Sequence, residues 1–187
     1  MSLADIAAIA SHPAESPRVR LRPTMQSDLD FVLSVERNEA NLPSITPWER
    51  MQHEAAIRFP DFRHFIIEGG SGLEAVGFLI LIGCRNQQRS IELKRMVVQA
   101  KGLGLGRAAL RVVKKVAFDD LRAHRFWLDV KSRNLRAHGL YASEGFVQEG
   151  ILREAVKVEQ GFDSLIVMSM LEAEFAERRR LGREVTP

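Results

Sequence analysis

Apolar and polar residues first alternate at Val19-Arg20-Leu21-Arg22, which predicts a strand stopped by Pro23. Leu29, Val32, Leu33 and Val35 then recur at helical spacing and predict a helix over 29–37, capped by Asp28 or Ser27. Thr46-Pro47-Trp48-Glu49 reads as a cap, a first-turn proline and an acid, opening a second helix to about Arg58. Apolar runs over 62–68 and 74–83, joined by a glycine turn at 69–72, predict a hairpin. A polar turn at 85–89 leads to a third strand over 90–98 and completes an antiparallel meander. Leu105, Ala109, Val112, Val113 and Val116 share one face of a helix over 105–118, with Arg107, Arg111, Lys114 and Lys115 on another. The next strand spans 126–130, and strand–helix–strand implies a parallel, right-handed crossover. A short helix over 134–143 ends at Gly145, and Phe146-Val147 begins another strand. Segments 155–158 and 164–170 close as a hairpin around Gln160-Gly161. A charged helix over 172–182 reads as solvated. The expected organisation is an N-terminal arm over 1–17, one α/β (α+β) domain over 18–171 and a charged tail over 172–187.

Composition narrows the class. The chain has 187 residues, 45% of them hydrophobic, enough for one substantial core. No apolar run approaches the roughly 20 residues that span a bilayer, so no membrane partner is expected and a cytoplasmic location is the default. One cysteine, Cys84, excludes an internal disulfide, and the five histidines show no metal-ligand spacing, so no metal is expected. Net charge is +3 and both signs are mixed along the chain, which suits an anionic cofactor and makes nucleic acid an unlikely partner.

The chemistry centres on Lys101-Gly102-Leu103-Gly104-Leu105-Gly106-Arg107. It lies between a predicted strand and a predicted helix. Alternate glycines let a ligand approach the backbone, and the helix N-terminus presents free N–H groups to an anion. The stretch lacks the Gly-Lys-Ser/Thr of a P-loop and the Rossmann spacing. A second segment, 134–146, places Asn134, Ala137, Tyr141, Gly145 and Phe146 in the spacing N-x-x-A-x-x-x-Y-x-x-x-G-F. On a helix, Asn134, Ala137 and Tyr141 share a face.

With these two motifs, over about 19–171, the chain resembles the GCN5-related N-acetyltransferases (GNAT). Lys101-x-x-Gly104-x-Gly106 is similar to that superfamily's acyl-CoA pyrophosphate signature, with Lys101 where Gln or Arg is usual. The continuation Glu149-Gly150-Ile151-Leu152-Arg153-Glu154 resembles the branch that acetylates ribosomal-protein N-termini and small amines. The resemblance implies a mixed, twisted, seven-stranded sheet with splayed fourth and fifth strands and helices on both faces. It implies acetyl-CoA as co-substrate, its pyrophosphate on the amides of Lys101, Gly102, Leu103, Gly104, Leu105, Gly106 and Arg107. The pantetheine arm would pair with the main chain near Met96, Val97 and Val98, beside Asn134 and Ala137.

Transfer of acetyl to an amine needs a neutral nucleophile, an oxyanion donor and an acid for the leaving thiolate. Tyr141 is the expected acid, and the amide of Val98 or Val97 the expected oxyanion donor. Glu92 is the expected base, by likeness to the histone-modifying members; its other reading is a surface carboxylate. Simple alternation groups Glu92 with Lys94, Met96 and Val98 and leaves open which face meets the pocket. Trp48 is read as pocket wall or core, and Glu36, Glu39 and Glu49 as acids able to hold a cationic amine. Cys84 has no evident base and reads as packing. The expected function is N-acetyl transfer from acetyl-CoA to a primary amine, on a protein N-terminus or a small molecule, through a ternary complex. The rival is a non-catalytic acyl-CoA sensor. A homodimer through the closing hairpin is also open.

Overall fold

The computed structural model describes residues 17–70 and 72–184. The expected N-terminal arm lies, but for Pro17, outside the described residues. Seven strands form one sheet in the order β1-β2-β3-β4-β5-β7-β6. In chain order they are β1 (Val19–Pro23), β2 (Phe62–Gly69), β3 (Glu74–Ile82), β4 (Ser90–Val98), β5 (Arg125–Lys131), β6 (Val147–Val158) and β7 (Gly161–Leu171). Among the described residues, β4 and β5 are the one parallel pair of neighbours. The helices are α1 (Leu29–Glu36), α2 (Arg50–Arg58), α3 (Leu105–Lys115), α4 (Leu135–Ser143) and α5 (Glu172–Arg180).

Alternating apolar residues give the sheet two buried faces. On one face, Leu79, Leu81, Phe126 and Leu128 meet Ala109, Leu110 and Val113 of α3 and Tyr141 of α4. On the other, Ile66, Phe78, Ile80 and Val97 meet Val32 and Val35 of α1. Helices on both faces and the meander match the expectation.

Three local expectations differ. Helix α2 starts at Arg50, not at Pro47. Tertiary bonds hold the preceding residues out of the helix: the Trp48 amide donates to Glu36 Oε2 (3.0 Å), and Thr46 O accepts from Arg95 (2.8 Å). Asp28 does not cap α1; its carboxylate turns back to the Met25 amide and to Arg22. The tail helix α5 is not solvated all round, because Phe175 is buried and stacks on Phe118 at 4.6 Å between centroids. A π-helical turn, Val116–Asp120, follows α3 and carries Phe118 into that contact.

Candidate active site

Strands β4 and β5 begin as neighbours and then part. Their ladder joins Ser90 to Arg125, Ile91 to Phe126 and Glu92 to Trp127, and ends there. Beyond that point β5 stays with β7 as far as Lys131, and β4 stays with β3 as far as Val98. Held by different partners, the two strands open a wedge.

A bulge reshapes β4 within the wedge. Leu81 pairs with Leu93 and Ile80 with Arg95, so Lys94 is the extra residue. The phase of the strand switches across it. Ile91 and Leu93 face the larger core before the bulge, and Met96 and Val98 pack against it afterwards. Glu92 pairs with Ile82 on the opposite, smaller-core face, which Val97 joins beyond the bulge. Simple alternation, which groups Glu92 with Met96 and Val98, fails for this reason. Glu92 is bound by Lys94 at 3.1 Å, and it belongs to the wall of neither cavity described below.

The backbone has a phase as well. The Gln99 amide donates to Val76 O at 2.8 Å. Amides two residues apart on an antiparallel strand point the same way, so Val97 turns to β3 and Met96 and Val98 turn into the wedge. Of the two expected oxyanion donors, Val98 faces the opening and Val97 does not.

A cavity of about 550 Å³ occupies the glycine-loop side of the wedge. Its wall takes in residues 96–98, 101–102 and 104–107, with Asn134, Ala137 and Tyr141 from the second motif. Gly102 and Gly104 have φ of +92° and +76°, a left-handed conformation that other residues adopt at a cost. Gly104 sits at the N-cap of α3, so the loop bends and delivers the helix N-terminus to the cavity. The Leu103 side chain points to solvent, which leaves only its backbone to the site. Lys101 hydrogen-bonds Ala40 O across the opening. Arg107 is held by Glu144 Oε1 at 2.6 Å and still reaches the rim, where Arg136 joins it. Sequence reasoning missed Arg136; a charge on an exposed helix face carries no signal of its own. Asn134 caps α4, its Oδ1 accepting from the Ala137 amide at 3.2 Å.

A second cavity of about 450 Å³ lies on the other side of the wedge. It shares Met96, Asn134, Ala137 and Tyr141 with the first. Tyr141 is the buried hinge between them, and burial pushes its pKa up to about 12, with the Asp129 carboxylate adding to the shift. Trp48 lines this cavity and packs against the smaller core, so both of its expected readings hold. Asp129 and Lys131 of β5 also line it, as do Lys94 and Arg95 of β4. Sequence reasoning passed over Asp129 and Lys131. Their signal was opposite charges two apart on one short strand, hence on one face.

Behind this cavity runs a buried polar chain. Arg95 forms an ion pair with Glu36, whose other oxygen meets His53 Nε2 at 3.0 Å. His53 Nδ1 meets His64 Nε2 at 3.0 Å, and His64 Nδ1 meets Thr24 Oγ1 at 2.9 Å. Burial lowers the pKa of His53 to about 4 and of His64 to about 3, so both are neutral at pH 7. One direction of donation satisfies every link: Thr24 to His64, His64 to His53, His53 to the Glu36 carboxylate. Glu36 is therefore fully engaged and does not present a carboxylate to an amine. Among the exposed acids of the same loop, Glu49 pairs with Arg37. Cys84 lies in neither wall, and burial pushes its thiol up to about 11, away from thiolate chemistry. Among the described residues no cluster of His, Cys, Asp or Glu has metal-binding geometry, and no helix is long and apolar enough to cross a membrane.

Residues 18–147 match the family model of the acetyltransferase (GNAT) domain. A curated relative, the spermidine N(1)-acetyltransferase of Vibrio cholerae, is 24% identical over 172 residues, which are 86% of this chain and 97% of the relative. A crystal structure of the Vibrio cholerae spermidine N-acetyltransferase with CoA and spermine superposes with a TM-score of 0.77 at 23% identity, covering 84% of this chain and 98% of that one. A dodecameric structure of the same enzyme superposes with a TM-score of 0.73 at 23% identity, covering 86% and 97%. At these identities the structural likeness is one of fold.

Proposed function

We propose, from the premise that this chain belongs to the GNAT acetyltransferase family, that it acetylates a small primary amine by direct attack within a ternary complex. As a member it is an acetyl-CoA-dependent N-acetyltransferase; the residue roles and the acceptor are our assignment. The carrying observation is that two cavities meet at Tyr141, one walled by the glycine loop and one free for an acceptor. A non-catalytic sensor has no use for the second cavity.

In this reading the pyrophosphate of acetyl-CoA lies on the amides of residues 101–107, and the pantetheine arm adds to β4 as a strand would, pairing at Met96 and Val98. Lys101, Arg107 and Arg136 neutralise phosphate charge at the rim. The thioester then reaches Tyr141. A free primary amine has a pKa of about 8 to 10 and must lose a proton to attack. Asp129 takes the role first expected of Glu92, receiving that proton directly or through a water. The nitrogen lone pair attacks the carbonyl carbon, and the oxyanion is held by the Val98 amide. The C–S bond then breaks, the CoA thiolate takes a proton from the Tyr141 hydroxyl, and the extra proton on the acylated nitrogen leaves to restore the tyrosine, directly or through a water. A tyrosine whose pKa is about 12 stays protonated, so its hydroxyl remains a hydrogen-bond donor to the sulfur as negative charge develops there.

The size of the second cavity favours a small molecule over a protein N-terminus. Association with a second copy is part of the same proposal. β6 is an edge strand and exposes Val147, Ile151 and Leu152, with Phe162 beside it on β7. The Tyr141→Phe variant tests the chemistry. We expect kcat for CoA release to fall about 10²- to 10⁴-fold with the acetyl-CoA dissociation constant within threefold of wild type. Equal loss of both would make Tyr141 a packing residue.

A further inference from the structure

The second cavity carries a charge pattern that does not match a polycationic acceptor. Four charged side chains line it: Lys94, Arg95, Lys131 and Asp129. Two are already neutralised, Arg95 by Glu36 and Lys94 by Glu92. Among the described residues, neither Lys131 nor Asp129 forms an ion pair, with each other or with anything else. Lys131 is buried, with 8% of its surface exposed, and its ammonium meets only the Pro43 carbonyl, at 3.1 Å. An ammonium has three donors, so two remain for the cavity. A buried cation without a contacting counter-charge is costly: burial lowers the pKa of Lys131, and the Asp163 carboxylate, itself paired with Arg133, offsets this only in part.

Asp129 and Lys131 are two apart on β5 and line one cavity, so their Cα atoms stand about 7 Å apart. Asp129 is close enough to Tyr141 to raise its pKa, which puts it at the reacting end. Lys131 lies one pleat further along the strand. The cavity thus offers one unpaired negative charge beside the chemistry and one unpaired positive charge a short step beyond.

We infer that the acceptor is a compact zwitterionic amine: its ammonium docks on Asp129, and a carboxylate or phosphate on the same molecule docks on Lys131. The inference rests on the acetyltransferase reading and specifies its substrate class. A polyamine satisfies Asp129 equally well but brings a second ammonium against Lys131. A neutral amine leaves Lys131 buried and unpaired. Only an anionic substituent completes both charges.

The test is CoA-release kinetics of the full chain with acetyl-CoA and four kinds of amine: an amino carboxylate, the amino phosphonate of the same length, the carboxamide of the first, and spermidine. The expected result is a kcat/KM for the carboxylate or the phosphonate at least tenfold above the carboxamide and above spermidine. The better of the two anions identifies the group. Lys131→Met is expected to collapse the anion-to-carboxamide ratio to near one, and Lys131→Arg to keep it. The ratio cancels any loss of folded enzyme, so a merely structural Lys131 leaves it unchanged. Equal rates for acid and amide, a ratio that survives Lys131→Met, or a preference for spermidine overturns the inference and leaves acetyl transfer standing. No CoA release from any amine overturns both.

Discussion

The Tyr141 hydroxyl stands where the two cavities join, and burial makes it a weak acid of pKa about 12. A raised pKa means that the protonated, donating form persists through the whole working range. The kcat profile at saturating acceptor is therefore expected to show no descending limb up to pH 10. A descending limb between pH 8 and 10 would assign the acid to another group. Tyr141 was legible in the sequence because it is embedded in a long spaced motif. Gly102 and Gly104 were legible as a glycine turn ahead of a helix, and their positive φ angles fit that turn. Asp129 and Lys131 were not, since two charges on a short strand look like a solvated face until the wedge is seen. Glu92 was proposed by likeness to the histone-modifying members; its face could not be read by alternation, because the bulge at Lys94 shifts the phase of β4.

Among the elements, β4 carries most of the site, and its shape depends on β3. Gly77 of β3 faces Val98, and a Cβ built on it would lie 2.2 Å from Val97 O. That contact is with backbone, which cannot rotate aside. Gly77→Ala is expected to destabilise the fold by about 1–3 kcal/mol, read as a lowered Tm, and to raise KM for acetyl-CoA by displacing Met96 and Val98. Unchanged Tm and KM would mean that the edge of β4 is more pliant than its packing suggests. The meander, the crossover helix and the closing hairpin were legible, because period and turn chemistry agree there. The start of α2 was not. Thr46-Pro47 is a good local helix signal, but Glu36 and Arg95 claim the backbone at Trp48 and Thr46 from far away in sequence. The bulge was hidden for a related reason: burial still alternates along β4, and only the pairing with β3 reveals the slipped phase.

At the scale of the molecule, one buried carboxylate ties the glycine-loop helix α3 to the rest. Glu144, at the end of α4, receives Arg107 (2.6 Å), Arg111 (3.0 Å) and the fully buried Lys114 (3.2 Å). Lys114 also binds Glu184, which holds Arg178 of α5. The tail is thereby fastened to the glycine-loop helix, with Arg178 lying against Gly145. None of this was legible, because the charge runs on α3 and α5 are indistinguishable from solvated faces in sequence. Burial alone would raise the Glu144 pKa, but hydrogen bonds from Arg111 and Arg107 and the charge of Lys114 hold it below the usual 4.5. Its stabilisation is therefore complete above about pH 4.5 and is lost as pH falls through the depressed native value. Glu144→Gln is expected to cost about 3 kcal/mol at pH 7 and to flatten the acid limb of Tm against pH; a parallel limb would place the acid sensitivity elsewhere. The proposed arrangement, two cavities joined at one tyrosine with Cys84 in neither wall, suits direct transfer. Initial rates of CoA release with acetyl-CoA and an accepted amine both varied test this most directly. The account predicts double-reciprocal lines that intersect, the mark of a ternary complex, and parallel lines, the mark of an acetylated enzyme, would contradict it.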